Sequence, residues 1–302
     1  MADLLRAWRE RGWQEVNADA YASLWNHYGG SVMTCPPIVA GLSALAGIPT
    51  RYLAFPCESA ITADFSAGIA TWGPYLALSR QALKRYGKRD CFDLGNAEVI
   101  VPTDPQRSLS IRYRMRYVSE INLPAVRNLK PQKESLTLAR EPEEYNKKFL
   151  YNQRRELRLF EQAGGRVQPI CDLSSEQISA TYSDLFEKRW GFPVPAKSRL
   201  AEVVEIMRPY LAGSVLSVDG RPAAIQILYQ VESPSWISVE YINGGVDPAF
   251  QSLSPGSVLT YLNTQAAWAH ARQLGKPLRY SFGRADRDYK LRWCRLSACY
   301  RT

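Results

Sequence analysis

Apolar positions recur at helical spacing over residues 3–11 and again over 18–28. A third helix is expected over 37–46, opened by Pro36-Pro37 and closed at Gly47. The period then shortens. Residues 51–55 and 68–78 read as strands, the second carrying TWGPYLAL, and 79–86 as a short helix. Further strands are expected over 98–101 and 108–117. In the latter, Leu109, Ile111, Tyr113, Met115 and Tyr117 alternate with Ser110, Arg112, Arg114 and Arg116, so a half-buried strand with one cationic face is expected.

Residues 122–133, NLPAVRNLKPQK, hold two prolines and three bases between regular patterns, and they mark a candidate boundary. The chain divides there into 1–130 and 131–302. A strand over 135–139 precedes the clearest helix of all, 143–162. An acidic pair leads it and Gly164-Gly165 ends it. At about 100° per residue, Phe149, Leu150, Leu157 and Phe160 share one side, and Lys147, Lys148, Arg154, Arg155 and Arg158 gather into a cationic arc. Such an arc is either a solvated face or a contact for acidic lipid, phosphate or RNA.

A strand over 166–170 and helices over 177–189 and 201–211 follow. Residues 214–243 contain three strand-like runs joined by Asp219-Gly220 and by Glu232-Ser233-Pro234, the pattern of an antiparallel meander. After it comes SLSPGSVLTYL. A serine and a proline before an apolar run are a helix start. The same start exposes main-chain N–H groups at the positive end of a helix dipole, which suits a phosphate. Gly256 permits close approach, and Ser254 and Ser257 add hydroxyls, so Ser254, Gly256, Ser257 and Val258 form a candidate anion berth. A strand, PLRYSFGR, and the segment ADRDYKLRWC come last, and any strand after Trp293 is expected to be short or absent.

Composition narrows the chemistry. The 302 residues carry a net charge of +9 with ordinary apolar content, so an anionic surface, nucleic acid or cofactor is a suitable partner. The six cysteines form no Cys-x-x-Cys pair and the two histidines stand apart, so no metal site is expected. Scattered thiols favour a reduced, cytoplasmic setting. The opening MADLLRAWRERGW lacks the form of a secretory signal, and the uncharged stretch 28–50 is broken by Pro36, Pro37, Gly41 and Gly47, so a buried helix is expected there rather than a membrane span. Neither a Gly-x-Ser-x-Gly elbow nor a phosphate-binding Gly-x-x-x-x-Gly-Lys run occurs. No helix-turn-helix pattern is evident, so no sequence-specific DNA partner is expected.

The order helix, helix, meander, loop, Pro-Gly-Ser, helix, strand resembles the GNAT acyltransferases. Ser254-Pro255-Gly256-Ser257, Phe282-Gly283-Arg284 and Tyr289-Lys290 with Trp293 resemble the CelD/BcsL-type branch of that group. The basic helix ending in Gly-Gly is similar to FemX-like peptidoglycan transferases. The resemblance implies an α+β (α/β) fold of tandem GNAT-like domains, each a mixed, mostly antiparallel sheet flanked by helices, with the donor site in residues 131–302. It implies an acyl-CoA donor, or aminoacyl-tRNA as in the FemX-like relatives. SLSPGS stands where GNAT proteins carry Arg/Gln-x-x-Gly-x-Gly/Ala. On that template, Glu240 in the strand 236–243 is the candidate general base, Tyr289 the proton donor to the leaving group, and Arg284 and Lys290 the holders of a phosphate or an anionic acceptor.

Across the whole chain, YGGSVMTCPPIVAGLSALAGIPTRYL and ATWGPYLALSR resemble the Mig family, macrophage-inducible proteins of Gram-negative bacteria associated with resistance to antimicrobial peptides. This likeness implies a cytoplasmic protein held peripherally on the inner membrane, acting on an envelope precursor or lipid-linked acceptor. The alternative is a non-catalytic, GNAT-derived adaptor that docks on anionic lipid or a protein partner through the cationic arc.

Overall fold

A computed structural model describes residues 2–57 and 65–302. In chain order its elements are α1 (Ala2–Arg9), β1 (Gln14–Val16), α2 (Ala18–Tyr28), α3 (Pro36–Ala46), β2 (Arg51–Pro56), β3 (Phe65–Trp72), β4 (Tyr75–Leu76), α4 (Arg80–Arg85) and β5 (Val118–Ser119). These are followed by β6 (Lys130–Ala139), α5 (Lys147–Gln162), β7 (Gly165–Pro169), α6 (Ser175–Trp190), α7 (Leu200–Met207), β8 (Leu211–Ala212), β9 (Ser214–Val218), β10 (Arg221–Glu232) and β11 (Ile237–Val246). The chain ends with α8 (Pro255–Gln273), β12 (Leu278–Arg284), α9 (Asp288–Trp293) and β13 (Cys294–Arg301).

The class is α+β. A small antiparallel sheet runs β1-β2-β3-β4, and a large one runs β5-β13-β6-β12-β11-β10-β9-β7 with β8 beside β10. Within the large sheet the β11–β12 ladder is parallel and the other ladders are antiparallel. The turn at Asp219-Gly220 has both residues at positive φ, as a tight hairpin between β9 and β10 requires. Asn17, Asn146 and Ser174 cap α2, α5 and α6 by accepting main-chain N–H groups, and Gly47 closes α3 in the left-handed region. One face of the large sheet meets α5 and α8 through Tyr145, Ile237, Val239, Tyr241, Ala267 and Trp293. A larger core joins α2, α3, α6 and α7 to both sheets.

Several expectations are corrected. TWGPYLAL is a hairpin, since Gly73 at φ 55° turns the chain so that Trp72 faces Tyr75. The run 143–162 starts as a helix at Lys147, because Asn146 takes the cap and Glu143 and Glu144 lie in a preceding 3-10 turn. The strand after Trp293 is well formed: it is eight residues long and pairs along β6 from Cys294 to Arg301, with a register shift at Cys299.

The strands expected over 98–101 and 108–117 do not form ladders; isolated bridges occur at Val99, Leu109 and Arg114. The alternation is nonetheless a true burial pattern, with Leu109, Ile111, Tyr113 and Met115 buried. Side-chain amides take the place of a neighbouring strand. Asn128 accepts from the Ile111 N–H at 2.9 Å and donates to its carbonyl at 2.8 Å, and Asn122 does the same for Val101 at 2.9 and 2.8 Å. The cations opposite are engaged: Arg112 lies over Trp8, Arg114 over Tyr75, and Arg116 pairs with Glu134.

Candidate functional site

The parallel pairing of β11 with β12 runs from Ile237–Leu278 to Glu240–Ser281 and then stops. Beyond Ser281, β12 turns to β6, where Arg284 faces Leu136. Gly283, at φ 71°, carries the bend; its carbonyl accepts from Thr137 and its N–H donates to the Ser281 hydroxyl. On the other edge of β11, Tyr241 faces Leu228 and Asn243 faces Ile227, so Ile242 is the extra residue of a β-bulge. The two strands part in a V, and among the described residues the opened edge of β11 has no ladder partner from Tyr241 onward.

β11 continues into Asp247, a 3-10 turn and Ser254, and α8 begins at Pro255. Asp247 pins this connection. It accepts the Ala249 N–H at 2.9 Å and pairs with Lys188 at 3.0 Å, which together hold its carboxyl below the usual range. A buried network fixes the start of α8. Gln226 donates to Thr260 at 2.7 Å, Asn263 donates to Gln226 at 2.8 Å, and Thr260 donates to the Gly256 carbonyl at 2.8 Å. Ser254 sits in the left-handed region at φ 50°, and its carbonyl accepts the N–H groups of both Ser257 and Val258. Pro255 has no N–H. Among the described residues, Gly256 therefore supplies the one amide of this first turn that no main-chain carbonyl takes.

A cavity of about 490 Å³ lies between this turn and the V. Ser254, Gly256, Ser257 and Tyr289 line it, together with Arg189, Gln226, Tyr241 and Arg292. A second cavity of about 280 Å³ shares Tyr241 and Tyr289 with the first and is lined also by Asn243, Arg284 and Lys290. A third, of about 370 Å³, shares Arg80, Asp93, Gly95, Asn96 and Arg284 with the second. The three form a series, and the two tyrosines stand between the first and the second.

Burial raises the Tyr289 phenol above the ordinary range, Tyr241 adds to the shift, and Arg189 opposes it, so the hydroxyl keeps its proton at neutral pH. Arg189 donates to the Gly244 carbonyl at 3.1 Å and lies 5.9 Å from the Tyr289 ring. Arg284 and Lys290 are brought to the second cavity rather than to Gly256. Asp286 holds both, at 3.3 and 2.9 Å, and Lys290 also donates to the Arg284 carbonyl at 2.8 Å.

Two expected site residues lie elsewhere. Val258 is wholly buried, packed with Phe160 and Leu216. Glu240, 1% exposed, lines none of the three cavities. Its Oε1 accepts the Glu98 N–H at 2.8 Å, and burial, with Glu98 next, pushes its carboxyl far up. A carboxyl that is enclosed and faces none of the cavities does not reach a nucleophile as general base. Tyr241, one position on, is the residue that faces the cavities; strand alternation separates the two, and the bulge that turns the strand here leaves no mark in the sequence. Arg189, in the run KRWGFP, is the other residue missed.

Lys147, Lys148, Arg154, Arg155 and Arg158 are all exposed on α5, which packs beside α8, and none is ion-paired among the described residues. No group of three or more His, Cys, Asp or Glu among the described residues could hold a metal, and no described helix is long and apolar enough to cross a membrane.

Residues 35–302 match the sequence model of the family Mig-14. No curated protein matches the chain. Among solved structures, FemX is similar at a TM-score of 0.53 and 10% identity, over 95% of this chain and 96% of that one. The C-terminal DUF2156 domain of a putative lysylphosphatidylglycerol synthetase from Agrobacterium fabrum is similar at 0.50 and 13%, over 94% and 90%. L-PGS from Bacillus licheniformis is similar at 0.52 and 10%, over 94% and 90%. These likenesses show the fold, which is GNAT-like.

Proposed function

We propose that this chain, a member of the Mig-14 family, transfers an activated acyl or aminoacyl group from a phosphate-bearing carrier to an envelope acceptor. The observation that carries the reading is the parting of β11 and β12 beside a cavity floored by the first turn of α8. The carrier occupies this first cavity, near the Gly256 amide, the Ser254 and Ser257 hydroxyls and the Arg292 guanidinium. Its carbonyl carbon reaches the V, where freed main-chain amides of β11 meet the oxyanion. A nucleophile entering from the second cavity forms the new C–N or C–O bond, the ester or thioester bond to the carrier breaks, and Tyr289 supplies the proton that the departing carrier needs. The proton lost by the nucleophile restores the phenol through solvent.

The amide inventory favours one carrier. A single unclaimed N–H at Gly256 is a poor cradle for a diphosphate, which the resemblance would place there for coenzyme A. An aminoacyl-tRNA end needs less from this turn, because its phosphates can run onto the exposed cations of α5. The structural neighbours named for lysylphosphatidylglycerol synthesis fit an aminoacyl group and an anionic lipid acceptor. The same cations favour peripheral attachment to anionic lipid at the cytoplasmic face of the inner membrane, and a changed envelope would account for a part in antimicrobial-peptide resistance.

Equilibrium binding tests the reading. The wild-type chain is expected to bind a non-hydrolysable aminoacyl-RNA minihelix more tightly than acyl-CoA. Gly256→Leu is expected to weaken that binding at least about tenfold, because a Cβ at Gly256 already meets Val246 at 3.3 Å and the longer side chain fills the cavity. If neither donor binds, or if Gly256→Leu binds as well as wild type, the reading is wrong.

A further inference from the structure

The third cavity is the most cationic of the series. Arg80, Lys84, Arg89, Arg116 and Arg284 line it, with Asp93 as its carboxylate. Arg116 is neutralised by Glu134 and Arg284 is shared with Asp286. Arg80, Lys84 and Arg89 have no carboxylate within ion-pairing distance among the described residues. The Nε of Arg284 is buried and donates to no group among the described residues, so its guanidinium is not fully used there. Three uncompensated cations around one concave space of about 370 Å³ leave a standing positive potential. They come from α4 and the loop after it, while Arg284 comes from the far end of β12, so the fold assembles the cluster from distant parts of the chain.

We propose that this cavity is the phosphate site of the acceptor, an inference that rests on the transfer reading above. The acceptor then carries a phosphate or phosphodiester, either as a lipid headgroup or on a soluble molecule. Arginine forks and a lysine suit phosphate oxygens. The placement also suits the chemistry. The second cavity links this site to Tyr241 and Tyr289, so an acceptor anchored here by its phosphate can present an amine or hydroxyl toward the V from the side opposite the carrier. Asp93, on the wall common to the second and third cavities, faces the path that such a group takes, and its carboxylate accepts the Gly95 N–H at 2.8 Å, which fixes its position. Donor and acceptor thus occupy opposite ends of one series, and neither blocks the other.

The experiment uses the full chain and the triple variant Arg80→Gln, Lys84→Gln, Arg89→Gln. These three side chains are exposed and unpaired, so the variant keeps the fold, checked by its unfolding midpoint. Two probes, both followed by calorimetry, separate the sources: soluble glycerol phosphate, and short-chain phosphatidylglycerol kept below its micelle concentration so that the cations of α5 meet no lipid surface. Binding of either probe by wild type, reduced at least about tenfold in the variant, supports the site, and the probe that binds names the source. Binding of neither, or equal binding by the variant, overturns it. Minihelix binding is measured on the same samples and is expected to be unchanged by the triple substitution. If the minihelix binds and no phosphate probe does, the acceptor site fails alone. If a phosphate probe binds and no donor does, the transfer reading fails and the anion site stands.

Discussion

Glu240 and Ser281 are the last facing pair of β11 and β12, and the candidate site opens directly beyond them. What ends the pairing is local. Ser281 accepts the Gly283 N–H, Thr137 takes the Gly283 carbonyl, and the strand is drawn toward β6. What holds the pairing up to that point reaches across the molecule, because Glu240 is tied to Glu98 and the Glu98 carboxylate is tied to Arg279 on β12.

The Glu98–Arg279 pair should therefore be a strong determinant of stability. The Glu98 side chain is 1% exposed and that of Arg279 12%. Arg279→Ala leaves a buried carboxylate without its partner, at a cost of about 3–5 kcal/mol. Replacing both by Arg279→Met with Glu98→Gln should recover most of that loss. Urea midpoints of the three proteins check this; an Arg279→Ala midpoint close to wild type would refute it.

Glu240 should impose a pH dependence of definite sign. Its folded value lies above the unfolded one, through burial and then Glu98. Below the ordinary carboxylate range both states hold the proton and its full contribution is present. As pH rises, the unfolded chain loses a proton that the folded chain keeps, so stability falls by up to about 1.4 kcal/mol per pH unit until the raised folded value is passed. Glu240→Gln removes this slope while keeping an oxygen for the Glu98 N–H. Unfolding free energies from about pH 5 to about pH 8 should converge at the acid end and favour the variant at the alkaline end. Parallel curves would show that Glu240 is ionised in the fold.

Tyr289→Phe should lower kcat for transfer roughly 100-fold, with the donor's Kd within about twofold of wild type. The hydroxyl is expected to act on the leaving group rather than to bind the carrier. A change in Kd with kcat intact would assign it to binding.

The arc on α5 should matter for surfaces and not for folding. Lys147→Glu, Arg154→Glu and Arg158→Glu together reverse three exposed charges that take part in no ion pair among the described residues. Co-sedimentation with anionic vesicles at low salt should fall at least about tenfold, with the thermal midpoint nearly unchanged. Retained co-sedimentation would move the contact elsewhere.

The parts of this site that the sequence announces are those with strong local chemistry. Asp219-Gly220 makes a hairpin and Ser-Pro-Gly-Ser starts α8, because a positive φ, a missing N–H and a missing Cβ act within a few residues. Tyr289 is found through the motif around it. Tertiary features are silent. Asn122 and Asn128 replace a strand neighbour for 98–117, and nothing in their spacing says so. Alternation along β11 puts Glu240 and Tyr241 on opposite faces, but which face meets the cavities is set by the packing of α6 and α8, and the bulge at Ile242 just beyond them has no local signature. Arg80 and Arg284 are some two hundred residues apart in sequence and meet only because the fold closes α4 over the end of β12.

The most direct measurement is to find where the donor sits. A minihelix carrying a photoreactive aminoacyl analogue is irradiated with the full chain, and the labelled peptides are identified by mass spectrometry. The label is expected on the segments bearing Tyr241, Ser257 and Tyr289, and is expected to be lost in Gly256→Leu. Labelling confined to α5 that persists in Gly256→Leu would contradict it.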